Sequence, residues 1–402
     1  MSVSTDPQKI EELLTRGVEE VIVDNHLKEQ LSSGKQLRIK FGIDPTSPHM
    51  HLGHTVPLRK LRQFQDLGHQ AVLIIGTSTA MIGDPTGRTE ARARLTKEQV
   101  EENQKTYLEQ ASKILNMATL EVRKNGEWFF PMSAKEFLEL TSLVTVQQVL
   151  QRDDFRRRVD DPDHPLSAIE ITYPIMQGYD SVMVKADVEL GGADQLLNLL
   201  MGRRLQRKFG MEEQDVLTVP LIEGTDGERK MSKSFGNSIA LEDAPEDMFG
   251  KVMTIPDSMI VRYFTLLTDL SMDEIQKIEG TMKEGGNPRD AKARLGWELV
   301  RMYRSTHEAD SARDAFDALF KEKQKPTDIP EYKISGSMSV VDVLVSSGLA
   351  KSKGDARRLI EGGGVKVDEV VVEDPEQVIQ PTGEGIVIQK GKRHFVRVMR
   401  DS

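Results

Sequence analysis

Residues 37–54 read LRIKFGIDPTSPHMHLGH, and this stretch decides the fold. Apolar and polar residues alternate over 37–44, which predicts a β-strand with one buried face. Apolar residues at helical spacing follow over 52–64, with Gly68 as a stop signal. Residues 70–76 are then almost continuously apolar, as is typical of a buried strand in a parallel sheet. Strand, helix and strand in this order predict a βαβ unit.

The alternation of strands and helices continues further along the chain. Ser167 and Glu170 form a capping box, which predicts a helix that begins there and runs through Asp180. Three more elements are predicted: a strand at 187–190, a helix at about 194–209 and a buried strand at 216–222. We therefore predict an α/β fold whose core is a Rossmann-like, doubly wound parallel sheet.

The rest of the chain divides by its pattern. Strand signals fade after Pro245, and amphipathic helical spacing dominates as far as about Lys325. Proline and polar residues then concentrate, which is typical of a linker. The predicted order is a helical leader over 1–36, the catalytic α/β domain over 37–240, a helical domain over 245–325, a linker over 326–336 and a small α+β domain over 337–402.

Composition excludes several classes of protein. The 402 residues carry 54 basic and 64 acidic side chains, so the net charge is −10 and any nucleic-acid contact must be local. The absence of cysteine excludes disulfides, thiolate metal sites and a cysteine nucleophile. We find neither a signal-peptide pattern nor a run of 18 apolar residues, so we expect a cytoplasmic protein without a membrane span.

The HLGH stretch lies where the first strand turns into the first helix. A helix N-terminus presents unpaired N–H groups to phosphate oxygens, and His51 and His54 can donate to the same oxygens. Gly53 leaves room for a flat ring against the backbone. Histidines that only cap a loop are the alternative, and other adenylyl-transferring enzymes would also suit this pattern.

A second basic motif, GTDGERKMSKS over 224–234, follows the strand predicted at 216–222. Lys230 and Lys233 sit on a glycine-bearing loop that can close over an anion. A solvated surface loop is the alternative for any basic loop, but KMSKS is far more specific than that.

Polar residues also share one face of the helix that starts at Ser167. Tyr173, Gln177 and Asp180 lie at positions i, i+4 and i+7 among apolar neighbours. Burying these groups without partners is costly, so a polar ligand is a natural completion. An internal hydrogen-bond network or a subunit contact is the alternative.

Taken together, these motifs resemble those of a known family. HLGH followed later by KMSKS is similar to the two signature motifs of class I aminoacyl-tRNA synthetases. FGIDPT, IGDPTGR, YPIMQGYDS and LGGADQ stand in the order found in tyrosyl-tRNA synthetases of the bacterial type, and the match runs over essentially the whole chain.

The resemblance implies roles for individual residues. Tyr173, Gln177 and Asp84 would surround the ammonium group of tyrosine, Gln195 would lie near its carboxylate, and Asp180 would accept from its phenol. The implied tyrosine site comprises Thr79, Asp84, Tyr173, Gln177, Asp180 and Gln195. The implied ATP site comprises Gly42, Asp44, His51, Gly53, His54, Arg88, Arg92, Gly192, Asp194, Lys230, Ser232 and Lys233. The implied catalytic set is Thr46, His51, His54, Lys230 and Lys233.

Two positions depart from the family pattern. Lys40 stands where many relatives carry a tyrosine that makes a second contact to the substrate phenol. Thr77 and Ser78 replace the residues that relatives commonly show in the wall of the tyrosine pocket.

The C-terminal domain resembles the small RNA-binding module shared with ribosomal protein S-four. Its basic residues are clustered, which suits contact with an RNA phosphate backbone, although a solvated face is the alternative. The implied tRNA-binding residues are Lys351, Lys353, Arg357, Arg358, Lys392 and Arg393.

The function that the resemblance implies is ligation of tyrosine to tRNA(Tyr), with ATP and Mg²⁺ as substrate and no protein-ligated metal. A homodimer is implied as well. Two alternatives stay open: an adenylating enzyme for another amino acid, and a synthetase-derived RNA-binding protein without charging activity.

Overall fold

The structure is a computed structural model of the chain and describes residues 3–85, 95–320, 329–381, 385–391 and 394–401. It has two compact units, residues 1–314 and 315–402. In the described part of the chain, no helix combines the length and apolar composition needed to cross a membrane.

The elements of the first unit alternate as the βαβ pattern predicts. Its strands are β1 Glu20–Ile22, β2 Arg38–Ile43, β3 Gln70–Ile75, β4 Glu121–Lys124, β5 Val188–Gly192 and β6 Asp215–Val219. The helices are α1 Pro7–Thr15, α2 Asp24–Ser32, α3 Leu52–Asp66, α4 Lys97–Ala111, α5 Gly126–Phe129, α6 Ala134–Ser142, α7 Val146–Val149, α8 Asp153–Val159, α9 Ala168–Val184, α10 Leu196–Lys208, α11 Pro245–Met253, α12 Ile260–Leu267, α13 Met272–Lys283 and α14 Pro288–Tyr303. Helix α15, Thr306–Phe320, begins in this unit and extends past its last residue. Short 3₁₀ turns occupy Thr79–Met81, Ala193–Gln195, Lys233–Phe235 and Asp257–Met259.

The sheet formed by these described strands has the order β1-β6-β5-β2-β3-β4. All neighbours are parallel except β1, which pairs antiparallel with β6. The chain leaves β2 towards β3 on one side and reaches β5 on the other side later. The strand order therefore reverses at β2, and ligands of such sheets bind beyond the carboxyl ends of the strands at that point. This agrees with the predicted doubly wound α/β fold.

Local sequence signals explain the two helices that frame this point. Helix α9 begins at the predicted capping box, where the Ser167 hydroxyl accepts from the backbone N–H of Glu170. Its apolar side packs on α10 in a core that includes Ile175, Met176 and Leu205. The polar face of α9, which carries Tyr173, Gln177 and Asp180, faces the carboxyl ends of the strands.

The structure adds detail to the organisation of residues 1–314. The predicted leader contains strand β1, which pairs with β6 far along the chain. A strand of three residues is too short to show an alternating pattern, so the sequence did not predict it. The leader, the catalytic segment and the helical segment as far as residue 314 lie in one compact unit. For example, the Arg16 guanidinium Nη2 at the end of α1 donates to the Thr268 carbonyl after α12 at 2.9 Å.

The second unit is a small α+β domain. Its elements are β7 Glu331–Ile334, β8 Met338–Ser339, α16 Val340–Ser346, α17 Lys353–Glu361, β9 Val365–Val367, β10 Val370–Val371, β11 Val378–Ile379, β12 Ile386–Lys390 and β13 His394–Arg400. The described strands form one sheet of order β10-β9-β12-β13-β7 and a separate pair, β11-β8.

Strand β7 falls inside the predicted linker over 326–336. It pairs in parallel with β13, and Ile334 is buried in the core of this unit. The sequence did not predict this strand, because four residues show too little alternation and the surrounding prolines and polar residues are typical of a linker. The predicted linker residues 326–328 lie outside the described residues.

Candidate active site

A cleft of about 560 Å³ opens at the carboxyl ends of the parallel strands, where the strand order reverses. Every residue predicted for catalysis, ATP or tyrosine that the structure describes lines this cleft: Gly42, Asp44, Thr46, His51, Gly53, His54, Thr79, Asp84, Tyr173, Gln177, Asp180, Gly192, Asp194, Gln195, Lys230, Ser232 and Lys233. Arg88 and Arg92 lie outside the described residues. Residues from distant parts of the sequence thus meet in one concave site.

The two histidines of HLGH cap helix α3 in a reciprocal way. The backbone N–H of Gly53 donates to Nδ1 of His51 at 3.2 Å, and the backbone N–H of His51 donates to Nδ1 of His54 at 3.1 Å. Because each Nδ1 acts as an acceptor, the proton of each neutral ring is on Nε2. Both imidazoles are therefore N–H donors at the positive end of a helix.

His51 acts as a donor without being charged. Burial, together with the nearby His54, Lys233 and Lys230, lowers its pKa to about 2. The ring is neutral over the whole physiological range, so its donor function does not depend on pH there.

The KMSKS lysines face the same end of the cleft. The ammonium of Lys233 lies 3.4 Å from the Ser47 hydroxyl, and that of Lys230 lies 3.3 Å from the Asp194 carboxylate. Burial lowers the pKa of Lys233. Both side chains are thus positioned beside the N-terminus of α3, where an anion would be bound by all of these donors.

Asn237 holds the KMSKS loop in shape and is not among the site residues predicted from the sequence. Its Oδ1 accepts from the backbone N–H of Ser232 at 2.9 Å. Its Nδ2 donates to the Asp226 carboxylate at 3.0 Å and to the Arg229 carbonyl at 3.2 Å. Asn237 is buried, and its place three residues after a glycine-bearing basic motif was the available sequence signal.

Asp44 connects the phosphate end of the cleft to its deep end. Its carboxylate accepts from the Thr79 hydroxyl at 2.7 Å and from the Tyr173 phenol at 2.9 Å. Burial, reinforced by Asp44 and Asp84, holds the pKa of Tyr173 well above its usual value. Gly76 allows this arrangement, because a Cβ there would overlap the Asp44 carboxylate.

Asp180 lies at the deep end and is 3% exposed. The Trp128 indole donates to its Oδ1 at 3.0 Å, and the Asn125 amide donates to its Oδ2 at 3.4 Å. Burial raises the pKa of Asp180 to about 7, although the nearby Lys40 ammonium and these two donors oppose the rise. Trp128 and Asn125 were also missed, since they precede Asp180 by a long stretch of chain that shows no shared period.

The two departures from the family pattern have structural explanations. The Thr77 hydroxyl accepts from the backbone N–H of Gly126 at 2.9 Å, and the Ser78 N–H donates to the Asn125 amide oxygen at 2.8 Å. These residues tie the turn after β3 to the start of α5. Lys40 is fully buried, and its ammonium donates to the carboxylate of Glu189 at 2.7 Å.

Four of the predicted tRNA-binding residues, Lys351, Lys353, Arg357 and Arg358, lie just before or within α17. Lys351 and Arg358 are exposed. Lys353 pairs with Asp342 at 2.7 Å, and Arg357 pairs with Glu376 at 2.8 Å. Such exposed pairs are weak and exchange readily for phosphate partners. The other two predicted positions, Lys392 and Arg393, lie outside the described residues.

Comparison with known proteins gives one consistent result. The family model for class I tRNA synthetases (W and Y) matches residues 4–321, and the model for the tyrosine–tRNA ligase SYY-like C-terminal domain matches residues 321–398. The tyrosine–tRNA ligase of Thermotoga maritima is 47% identical over 393 residues, 98% of this chain and 98% of that protein. That of Carboxydothermus hydrogenoformans is 46% identical over 399 residues, 96% of this chain and 97% of that protein.

Solved structures agree on the fold. A C-terminally truncated mitochondrial tyrosyl-tRNA synthetase of Aspergillus nidulans matches with a TM-score of 0.66 and 24% identity, covering 78% of this chain and 94% of that one. The Archaeoglobus fulgidus tyrosyl-tRNA synthetase, solved with L-tyrosine, matches with a TM-score of 0.62 and 21% identity, covering 76% of this chain and 99% of that one. The chain belongs to the bacterial tyrosyl-tRNA synthetase family of class I aminoacyl-tRNA synthetases.

Proposed function

We infer that the chain is an ATP-dependent ligase that joins L-tyrosine to the 3′-terminal adenosine of tRNA(Tyr). The observation that carries this inference is the buried carboxylate of Asp180 at the deep end of a cleft whose other end collects His51, His54, Lys230 and Lys233. A phenol acceptor and a phosphate-binding end in one cleft fit a tyrosine bound beside ATP.

In the first step, a carboxylate oxygen of tyrosine attacks the α-phosphorus of ATP. The new bond joins that oxygen to phosphorus, the bond to the bridging oxygen of pyrophosphate breaks, and pyrophosphate leaves with the electron pair. Nε2–H of His51 and of His54 would donate to phosphate oxygens, with Thr46 beside them. Lys230 and Lys233 would neutralise the charge that builds on the pyrophosphate. Mg²⁺ would enter bound to ATP as part of the substrate.

In the second step, a ribose hydroxyl of the terminal adenosine attacks the carbonyl carbon of tyrosyl-adenylate. The ester bond forms, AMP leaves, and the hydroxyl proton is lost to the departing phosphate or to water. No protein nucleophile is required. Catalysis consists of positioning and of charge stabilisation in a preorganised site.

Tyrosine would be recognised at both of its ends. The Asp180 carboxylate would accept from the phenol, which a phenylalanine side chain cannot satisfy, so the buried acceptor would stay unpaired. Asp84, Tyr173 and Gln177 would surround the ammonium group. Gln195, whose amide donates to the Asp84 carboxylate at 3.0 Å, would lie near the substrate carboxylate.

The nucleotide would lie across the ends of β2 and β5. Gly42, Gly53 and Gly192 would allow the backbone to approach the base and ribose, and Asp194 would accept from ribose hydroxyls. Open space lies around the missing Cβ of Gly42. Asp44, whose carboxylate is engaged by Thr79 and Tyr173, would contact ATP only at the edge shared with the tyrosine site.

We also propose a homodimer that binds tRNA through its C-terminal unit. Four large apolar side chains on the segment from α5 to α8 are each at least half exposed: Phe130, Leu138, Val146 and Val159. Exposed apolar side chains concentrated in one segment favour burial against another protein surface.

In the C-terminal unit, Lys351, Lys353, Arg357 and Arg358 would contact the RNA backbone. The cytoplasmic location and the predicted division of the chain into catalytic, helical and RNA-binding domains stay predictions.

The decisive experiment is amino-acid-dependent exchange of labelled pyrophosphate into ATP, run without tRNA. We expect exchange with tyrosine and none above background with phenylalanine or tryptophan. Asp180→Asn should lose most of this exchange, whereas Lys283→Ala should keep it, because the Lys283 side chain is 72% exposed and does not line the cleft. Equal exchange with phenylalanine, or none with any amino acid, would contradict the proposal.

A further inference from the structure

A line of side-chain hydrogen bonds runs through the first unit from a buried arginine to a buried glutamate. The Arg152 guanidinium donates to the Asn198 amide oxygen at 2.7 Å, and the Asn198 Nδ2 donates to the Gln177 Oε1 at 3.1 Å. The Gln177 Nε2 then donates to the Glu189 carboxylate at 3.2 Å. Asn198 is 1% exposed and Glu189 is fully buried.

We propose that Asn198 is a positioning residue for the tyrosine substrate, and that it acts by fixing which end of the Gln177 amide is the acceptor. This rests on the proposed function, in which Gln177 contacts the substrate ammonium. An amide turned by 180° would present N–H groups where a carbonyl oxygen is needed, so its polarity decides whether an ammonium can bind.

The arginine end fixes the polarity of Asn198. A guanidinium has N–H donors and no acceptor, so the Asn198 atom facing Arg152 must be its oxygen. The Asn198 nitrogen is then turned towards Gln177. Since that nitrogen is a donor, the Gln177 atom that faces it must be Oε1.

The glutamate end requires the same orientation independently. Each oxygen of the Glu189 carboxylate accepts from two donors: Lys40 and Gln177 at Oε1, and Ser181 and Gln214 at Oε2. Because an ionised carboxylate can only accept hydrogen bonds, the Gln177 atom that faces Glu189 must be the amide nitrogen. Both ends of the line therefore select one rotamer of the Gln177 amide.

The orientation of the Gln177 amide affects the part of the cleft that would bind the substrate ammonium. Gln177 lines the cleft, and Oε1 has two lone pairs, of which the Asn198 donor uses one. The second lone pair is an acceptor held in place before the substrate arrives. Preorganisation of this kind lowers the cost of ordering a side chain on binding. Lys40, which replaces a tyrosine of many relatives, thus contributes by holding Glu189 and not by touching the substrate.

Two substitutions of similar size at Asn198 separate this role from a structural one. Asn198→Asp keeps an acceptor for Arg152 but replaces the donor towards Gln177 by an acceptor. Asn198→Leu removes both groups and leaves Gln177 held by Glu189 alone. If Asn198 served only to pair with Arg152, the aspartate variant would be tolerated and the leucine variant would be the damaged one.

The ligands are L-tyrosine and 3-(4-hydroxyphenyl)propionate, which lacks only the ammonium group, titrated by calorimetry into the full-length protein. For Asn198→Asp we expect the Kd for tyrosine to rise at least about tenfold, the loss of one charge-assisted hydrogen bond. The Kd for the analogue should stay within about twofold of the wild-type value. Asn198→Leu should weaken tyrosine binding less than Asn198→Asp does.

Three results would overturn the proposal: an unchanged tyrosine Kd in Asn198→Asp, an equal loss for both ligands, or an Asn198→Asp chain that fails to fold although Arg152 keeps its acceptor. Failure of the proposed function would look different, because the wild-type protein would then show no tyrosine-dependent pyrophosphate exchange.

Discussion

Replacing Asp180 by asparagine should make the tyrosine-free protein relatively more stable as the pH rises. The pKa of Asp180 is about 7 in the folded state, against an ordinary value of 3.8. A carboxyl whose pKa is raised on folding favours the folded state at low pH and loses this contribution as the pH rises through the folded pKa. The window for Asp180 is therefore pH 3.8 to about 7. Asparagine has no such titration.

The size of the effect follows from the pKa. Between pH 5 and 6 the folded state holds nearly one more proton at Asp180 than the unfolded state, so the free energy of unfolding changes by about 1.4 kcal/mol per pH unit. At pH 7 the excess has fallen to about half a proton, and the slope falls with it. Between pH 5 and 8 the stability of the wild type should fall relative to Asp180→Asn by about 2.5 kcal/mol. The mismatch of the new amide with the Asn125 donor adds a constant offset, which cancels in this comparison.

Urea unfolding followed by tryptophan fluorescence measures this difference. The chain has two tryptophans, Trp128 and Trp297, and both lie in the unit of residues 1–314, so the signal reports on the unit that contains Asp180. Free energies of unfolding at pH 5, 6, 7 and 8 for both proteins give the slope. A difference that stays constant within about 0.5 kcal/mol, or that grows in the opposite direction, would refute a buried, protonated Asp180.

Three further outcomes are expected. Tyrosine binding at pH 7 should release about half a proton, because a half-protonated Asp180 must ionise to accept from the phenol; calorimetry in buffers of different ionisation enthalpy measures this, and Asp180→Asn should abolish it. Lys233→Ala should slow single-turnover adenylate formation by about a hundredfold and leave the tyrosine Kd within about twofold, whereas Lys283→Ala should change neither; an unchanged rate would remove Lys233 from the catalytic set. Asn237→Ala should release the KMSKS loop and raise the KM for ATP by about tenfold in pyrophosphate exchange, since the loop loses several hydrogen bonds; a normal KM would show that the loop does not need this anchor.

Much of the fold was predictable from local patterns. The strand at 37–44, the helix after it and the strand at 70–76 appear as β2, α3 and β3, because each of these elements has a period that a short window contains. The capping box at Ser167 and Glu170 likewise marks the start of α9. Strands β1 and β7 were missed, since strands of three and four residues are too short to show a period and are defined by their partners.

For the candidate site too, residues in compact motifs were predicted from the sequence, and residues that come from distant segments were not. HLGH and KMSKS each supply several functional groups within a few residues, and the resemblance they carry predicted which side chains line the cleft. The groups that support those side chains come from elsewhere. Asn125 reaches Asp180 from the loop after β4, Trp128 reaches it from α5, and Asn198 reaches Gln177 from α10. Nothing in a linear window connects such residues.

By itself, the sequence determined the βαβ core, the family and most of the residues that line the cleft, because these depend on periodicity and on compact motifs. Only the tertiary structure decided that Asp180 titrates near neutral pH, that Lys40 is buried against Glu189, and that the Gln177 amide has one allowed polarity. The physical reason is that pKa values and amide orientation depend on burial and on hydrogen-bond partners. Those partners meet only when strands and helices far apart in the chain pack together.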